Sequence, residues 1–237
     1  MIYTDTHCHI DSKTNTPEIL GRIYNATCES DWDTAISISE NDDDMNFAAI
    51  GIHPWKISTA SQDWMTEMNN ILAAHPNLMV GEIGLDKFKP DMPRQIEIFT
   101  HQLEIAARTR RPVQIHCVGA WDKILHILKV HEKSLPPAII AHAYSGNENQ
   151  IEYLATRYNM YFSYSGQSNE NANSRIAATP MPRILTESDS FTPEEEIHTL
   201  DEIINIIAYT HGIDTNAASD QINQNFQRII SYVRPIN

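Results

Sequence analysis

The 237-residue chain reads as an α/β protein, a TIM-type (β/α) barrel occupying residues 1–237 as a single domain, and three observations support this. Its length is close to the ~250 residues typical of such a barrel. Eight short apolar runs rich in β-branched residues alternate with longer segments of helical period, the pattern of parallel strands joined by crossover helices. The polar residues that close those runs are mostly histidines and carboxylates, and barrels of this type gather their functional groups at the C-terminal ends of the strands.

Strands are predicted near residues 2–7, 34–38, 47–52, 78–83, 112–116, 138–142, 159–164 and 183–187. Between them, SQDWMTEMNNILAAH and PRQIEIFTHQLEIAARTR carry apolar residues at helical spacing, the second through Ile96, Phe99, Leu103 and Ala106. Pro54, Pro76, Pro93, Pro112 and Pro137 punctuate the joints. Beyond residue 193, PEEEIHTLDEIINIIAYTHG opens with proline and acids and stops at Gly212, as a helix should, and a last helix is expected from about Thr215 to Val233. The run NDDD at 41–44 suits a solvated loop or helix start. No repeat, low-complexity tract or Gly/Ser linker marks a second domain.

With 41% hydrophobic and 20% charged residues the composition is that of an ordinary globular protein, and no apolar run approaches the ~20 residues of a membrane span. The N-terminus turns polar within a few residues, unlike a secretory signal, so a cytoplasmic location is expected. Cys8, Cys28 and Cys117 form no paired framework and are expected to be reduced. The net charge of −14 argues against a protein that coats nucleic acid through clustered lysines and arginines. It leaves room for a small phosphoester, because divalent cations invert the local field of a site.

The first strand ends in DTHCHID, and the alternation of strand side chains puts His7 and His9 on one face and Cys8 on the other. Two converging imidazoles make a cation the natural occupant. The other strand ends add His53 from GIHPW, Glu82 and Asp86 from VGEIGLD, His116 from VQIHC, His142 from IIAHAYSG, and Glu187 and Asp189 from RILTESDS. Singly, each has a plainer reading: His116 and His142 as buried histidines bonded to backbone, Glu82 as a capping acid, Asp189 as the N-cap of a short helix near Phe191. One metal centre accounts for all of them together. His75, His101, His126, His131, His198 and His211 fall on or beside predicted helices and are expected to be solvated or structural. Cys117 neighbours His116 and so faces the other way, packed and not reactive.

Taken in order, DTHCHID, GIHPW, VGEIGLD, PRQIEIFTHQLEIA, VQIHC, AHAYSG, YFSYSG and LTESDS resemble the TatD family of metal-dependent hydrolases and deoxyribonucleases, within the amidohydrolase superfamily, over nearly the whole chain. The resemblance implies a distorted barrel holding two divalent metal ions, drawn from Mg, Mn, Zn, Ni or Fe. It places His7, His9, Glu82 and Asp189 around one ion and Glu82, His116 and His142 around the other, with Glu82 bridging. A carboxylate can bridge two cations through its two oxygens, whereas an imidazole must ionise to do so. In this reading Glu82 and Asp189 are catalytic, water is the nucleophile, and Asp189 accepts its proton. His53, Asp86 and Tyr144 are expected to bind substrate, Tyr144 standing where the family often has phenylalanine.

Two departures from the family bear on the substrate. Sequences of this family usually carry an arginine two positions after the fifth-strand histidine, where this chain has Val118, and valine cannot replace a guanidinium fork on a phosphate. A basic residue and an Asn-Glu-Pro segment usually follow the last acidic motif, whereas ESDSFTPEEEIH runs straight into an acidic helix. The leading expectation is a hydrolase of phosphoester bonds, a deoxyribonuclease or phosphodiesterase, acting on a small phosphoester or a single-stranded nucleic-acid end. The alternatives are an amidohydrolase-like enzyme for small esters, lactones or amides, and a catalytically silent metal-binding scaffold. The carbamylated lysine common in the amide- and lactone-cleaving branch has no counterpart at a strand end here. A scaffold, for its part, has no need to keep a costly buried charged cluster.

Overall fold

The structure is a computed structural model that describes residues 1–9, 16–40, 45–166 and 170–234. Eight parallel strands follow one another in chain order: β1 (Tyr3–Cys8), β2 (Ile19–Asn25), β3 (Asn46–Ile50), β4 (Met79–Asp86), β5 (Val113–Val118), β6 (Ile139–Ala141), β7 (Met160–Tyr164) and β8 (Ile184–Thr186). The sheet curls until β8 returns to β1. There the Thr6 hydroxyl donates to the carbonyl of Thr186 and the Thr186 hydroxyl to that of Thr4, each at 2.9 Å, and the Asp189 N–H donates to the His7 carbonyl at 2.9 Å. The result is a nearly closed, distorted TIM-type barrel.

Around it lie α1 (Trp32–Ser39), α2 (Trp64–Ala74), α3 (Met92–Thr109), α4 (Trp121–Val130), α5 (Ile151–Arg157), α6 (Glu170–Ala178), α7 (Pro193–His211) and α8 (Thr215–Ile230). Phe99, Leu103 and Ala106 of α3 are buried, with Ile96 packed beside them, as their spacing predicts. Helix α7 begins with Pro193 in its first turn and ends on Gly212 at φ 63°, a left-handed C-terminal position suited to glycine. Its N-cap is Thr192, so Asp189 is released from the capping role that its position near Phe191 allowed.

One strand expectation is corrected. Residues 34–38 form part of α1, and the second strand is ILGRIYN at 19–25. The alternation in TAISI imitates a strand, but Trp32, Ala35, Ile38 and Ser39 are the buried positions, the three- to four-residue spacing of one helix face. The true strand is disguised by Arg22, a buried cation whose Nη2 donates to Glu196 of α7 at 2.6 Å, a long-range partner that a local pattern cannot reveal. Gly21 is required in that strand, because a Cβ there would lie 2.7 Å from both the Met45 carbonyl and the Phe226 ring. The NDDD run at 41–44 lies outside the described residues.

Two apolar regions fix the barrel's polarity. Ile83, Leu85, Ile115, Ile139 and Phe162 belong to the core shared with the surrounding helices. Ile23, Ala49, Met79, Ile140 and Leu185 form a second cluster with Phe226, Ile229 and Ile230 of α8. Asn225 of α8 donates to the carbonyls of Met181 and Ile184, and Ser219 donates to that of Ile2, so α8 covers the N-terminal ends of β8 and β1. The opposite, C-terminal end is left to the polar residues. Among the described residues no helix is long and apolar enough to cross a membrane.

Candidate active site

Strand alternation delivers Asp5, His7 and His9 to one side of β1, and each is then held by a neighbouring strand. Asp5 accepts from the N–H groups of His7 and Ser188, both at 3.0 Å, which ties the end of β8 to β1. The Nδ1 of His7 meets Gln114 Oε1 and that of His9 meets the Asn25 carbonyl, each at 2.9 Å. With Nδ1 engaged, both rings turn Nε2 toward the carboxylates. His7 Nε2 lies 3.4 Å from Glu82 and 3.8 Å from Asp189, and His9 Nε2 lies 3.3 Å from Asp189 and 4.0 Å from Glu82.

Glu82, buried at the middle of β4, divides its two oxygens between two groups of histidines. Oε2 faces His7 and His9. Oε1 faces His116 at 2.9 Å, His53 at 3.4 Å and His142 at 3.7 Å. His142 is oriented from behind by Glu187, which accepts from its Nδ1 and from the Ala143 N–H at 2.9 Å each. Such an acid fixes both the tautomer and the aim of a ligating imidazole.

The cluster's electrostatics are those of a site built around positive charge. Burial opposes ionisation of Glu82, yet the fields of His7 and His142 and the hydrogen bonds of His116 and His53 hold it well below the ordinary carboxylate range. Burial likewise opposes a charge on His142, but Glu187 and Glu82 outweigh it and raise its pKa to about 10. For Asp189, burial is again outweighed, by the His9 hydrogen bond and the fields of His7 and His142, so its half-exposed carboxylate also sits below the usual range.

Three sets of donor atoms fall within 4.8 Å of one another: His7 with His142 and Asp189, His7 with His9 and Glu82, and His53 with Glu82 and His116. The donor atoms are all imidazole nitrogens and carboxylate oxygens, which suit divalent cations. On these residues two ring nitrogens, His7 Nε2 and His116 Nε2, are buried with no hydrogen-bond partner, the state expected of atoms that await a metal; His116 meets Glu82 through Nδ1. The residues present therefore fit the two cations that the resemblance implies. The grouping differs in one respect: His53, expected at the substrate, shares a donor set with Glu82 and His116, while His142 falls with His7 and Asp189.

The other expected residues are placed as follows. Asp86 lies behind the cluster, with Oδ2 accepting from Trp55 Nε1 at 2.7 Å and lying 4.0 Å from His116 Nε2. Tyr144 is not brought to the cavity that the ligands line, because its ring is buried against Trp121 and Phe162 and its hydroxyl donates to the Asn147 carbonyl. Burial pushes the Cys117 thiol up to about 12, in keeping with a packed, unreactive side chain. Of the remaining histidines, His75, His101 and His131 pair with Glu40 or Glu104 and His211 bonds to the Ile176 carbonyl. The cavity, about 420 Å³, is walled by His9, His53, Glu82, His116, His142 and Asp189, and also by Thr27, Trp55, Lys56 and Phe191, to which the sequence had assigned no site role. Gln114 was legible in principle, since it stands two residues before His116 on the same face of β5.

An α/β barrel with clustered histidines and carboxylates at the C-terminal ends of its strands defines the class of metal-dependent hydrolases. The family model described as TatD related DNase matches residues 4–231, and the chain belongs to that family. It is 27% identical over 207 residues to YjjV of Escherichia coli, described as an uncharacterized metal-dependent hydrolase, covering 79% of each chain. It is 28% identical over 227 residues to the human 3′-5′ RNA nuclease TATDN2, covering 81% of this chain but 29% of that protein. The crystal structure of Escherichia coli YjjV superposes with a TM-score of 0.81 over 96% of this chain and 97% of that one, at 22% identity, which establishes the fold.

Proposed function

We propose that the chain is a divalent-metal-dependent phosphoesterase that cleaves single-stranded nucleic-acid ends or small phosphoesters. The observation that carries this reading is Glu82, whose two oxygens face separate histidine groups, His7 and His9 on one side and His53, His116 and His142 on the other. Its support in the relatives is that several are named as nucleases, among them the human 3′-5′ RNA nuclease and 3′-5′ ssDNA/RNA exonucleases called TatD.

In this proposal His7, His9, Glu82 and Asp189 hold one cation, and Glu82, His116 and His142 hold the second, with His53 beside them. Bound there, a cation pair supplies Lewis-acid activation of water and charge stabilisation at the phosphoryl oxygens. Asp189, half-exposed at the cavity wall and kept ionised by its histidine neighbours, accepts the proton of the attacking water. Glu187 holds His142 in place, and Gln114 and the Asn25 carbonyl do the same for His7 and His9. Asp86 fixes the indole of Trp55 at the cavity wall.

Val118 favours a second reading, an esterase or lactonase with no strongly charged substrate, because it leaves the fifth strand without a phosphate-matched side chain. Metal-reconstituted protein assayed against 3′-labelled single-stranded DNA, a phosphomonoester and a lactone panel separates the two. Phosphoester cleavage that stops with chelator and returns with Mg²⁺ or Mn²⁺ is expected. Turnover of lactones without any phosphoester cleavage would replace the first reading by the second.

A further inference from the structure

The loop after β3 presents an aromatic surface that the metal cluster does not need. Trp55 is 55% exposed, yet its position is fixed: Nε1 donates to Asp86 at 2.7 Å, its backbone N–H donates to His53 Nδ1 at 3.1 Å, and the Lys89 ammonium lies 4.0 Å over its ring. It walls the ligand-lined cavity and also an adjoining hollow of about 120 Å³ that includes Lys89. Its neighbour Lys56 is the one lysine or arginine among the described residues of the main cavity wall. From the loop after β8, Phe191 is 72% exposed and lies on the His9 ring, 5.0 Å between centroids at 21°. Rigid exposed rings set among cations are how proteins hold single strands, with bases on the rings and phosphates on the cations.

Resting on the phosphoester reading above, we propose that Trp55 and Phe191 are stacking platforms for the bases of a single-stranded end, with Lys56 and Lys89 receiving adjacent phosphates. The strand is then gripped through its bases where the resembling family uses a fifth-strand guanidinium. The register agrees: Val118, at that guanidinium's position, pairs with Asp86, and the Asp86 carboxylate is committed to Trp55. A base-directed grip also suits a chain of net charge −14, which has little long-range attraction for a polyanion.

The test measures binding by fluorescence anisotropy, using the purified full chain and a six-nucleotide single-stranded DNA with phosphorothioate linkages that block turnover. A second oligonucleotide has abasic residues at its three 3′ positions. The wild type should bind the base-bearing strand roughly tenfold or more tightly, since stacking on one ring changes affinity by about five- to a hundredfold. Trp55→Leu and Phe191→Ala should each lose most of that preference, while Trp55→Phe, which keeps a ring but not the bond to Asp86, should retain much of it. With two lysines engaged, log Kd should change with log salt by only about 1.4 per decade. Equal affinity of the wild type for the two strands would overturn the proposal, as would an undiminished preference in both Trp55→Leu and Phe191→Ala. Phe191 is exposed enough that its variant tests the proposal even if Trp55→Leu misfolds. Chelator-sensitive cleavage of a fully abasic strand without base preference would overturn the stacking platforms alone. Base-dependent binding with no metal-dependent cleavage of the same sequences carrying ordinary phosphodiester linkages would leave them standing and remove the phosphoesterase.

Discussion

Glu187→Gln isolates what the acid behind His142 contributes. In the native protein one Glu187 oxygen accepts from His142 Nδ1 and the other from the Ala143 N–H, each at 2.9 Å, in a fully buried setting. A glutamine of the same size cannot accept from both. If its oxygen stays with Ala143, its NH₂ group donates to His142 Nδ1, and the imidazole's proton moves to Nε2, the nitrogen that faces Glu82 at 3.7 Å. If it flips, two N–H groups oppose each other at Ala143. The first outcome leaves a proton on the nitrogen proposed to bind metal and the second drives apart the Ala143 backbone beside it; loss of such an orienting partner lowers metal affinity by roughly 10- to 100-fold. Calorimetric titration of Mn²⁺ into the chelator-treated protein reads this directly, and circular dichroism verifies that the variant is folded. Glu187→Ala should do worse, costing about 3–5 kcal/mol of stability because it leaves a buried partner uncompensated. A folded Glu187→Gln protein with unchanged Mn²⁺ affinity would refute the reasoning.

Asp189→Asn should cut turnover by about 100-fold or more, the lower end of what a general base contributes, and turnover unchanged across neutral pH would remove Asp189 from the reaction. Val118→Arg should lower KM for a nucleic-acid substrate by roughly ten- to a hundredfold with kcat little altered, provided a thermal melt shows the fold intact. Val118 is half-buried beside Asp86, so the melt also detects an arginine that pairs with Asp86 and frees Trp55. Alkali should weaken the fold in a defined window. Burial pushes Cys117, Tyr3 and Tyr144 up to about 12 each, so above their unfolded values, about 8.5 for Cys and about 10 for Tyr, the unfolded chain loses protons that the fold keeps. Denaturant melts should show stability falling from about pH 9 toward 12, and a flat profile would contradict the burial of these groups.

The fold was legible where local pattern and tertiary role agree. The IIA of β6 and the MYFSY of β7 are buried throughout and read as short, largely apolar runs, and α3 buries the face that its spacing announces. The second strand was hidden because Arg22 is neutralised by Glu196, 174 residues further on. That these histidines and carboxylates would cluster was legible because strand ends converge in this barrel, so residue type and position sufficed. What escaped were roles set by contact across strands. Glu187 stood in the motif without a task until its distance to His142 gave it one. Trp55 and Phe191 were invisible as wall residues because exposure depends on loops, and the packing of Tyr144 against Phe162 was hidden because a position after a strand does not reveal which way a ring packs.

The central claim, that Glu82 is shared by two cations, is tested most directly by counting metal. Elemental analysis of reconstituted, gel-filtered protein should find close to two divalent ions per chain, and Glu82→Ala should lose most of both, because Glu82 faces both histidine groups. Full occupancy in a folded Glu82→Ala protein would contradict the account.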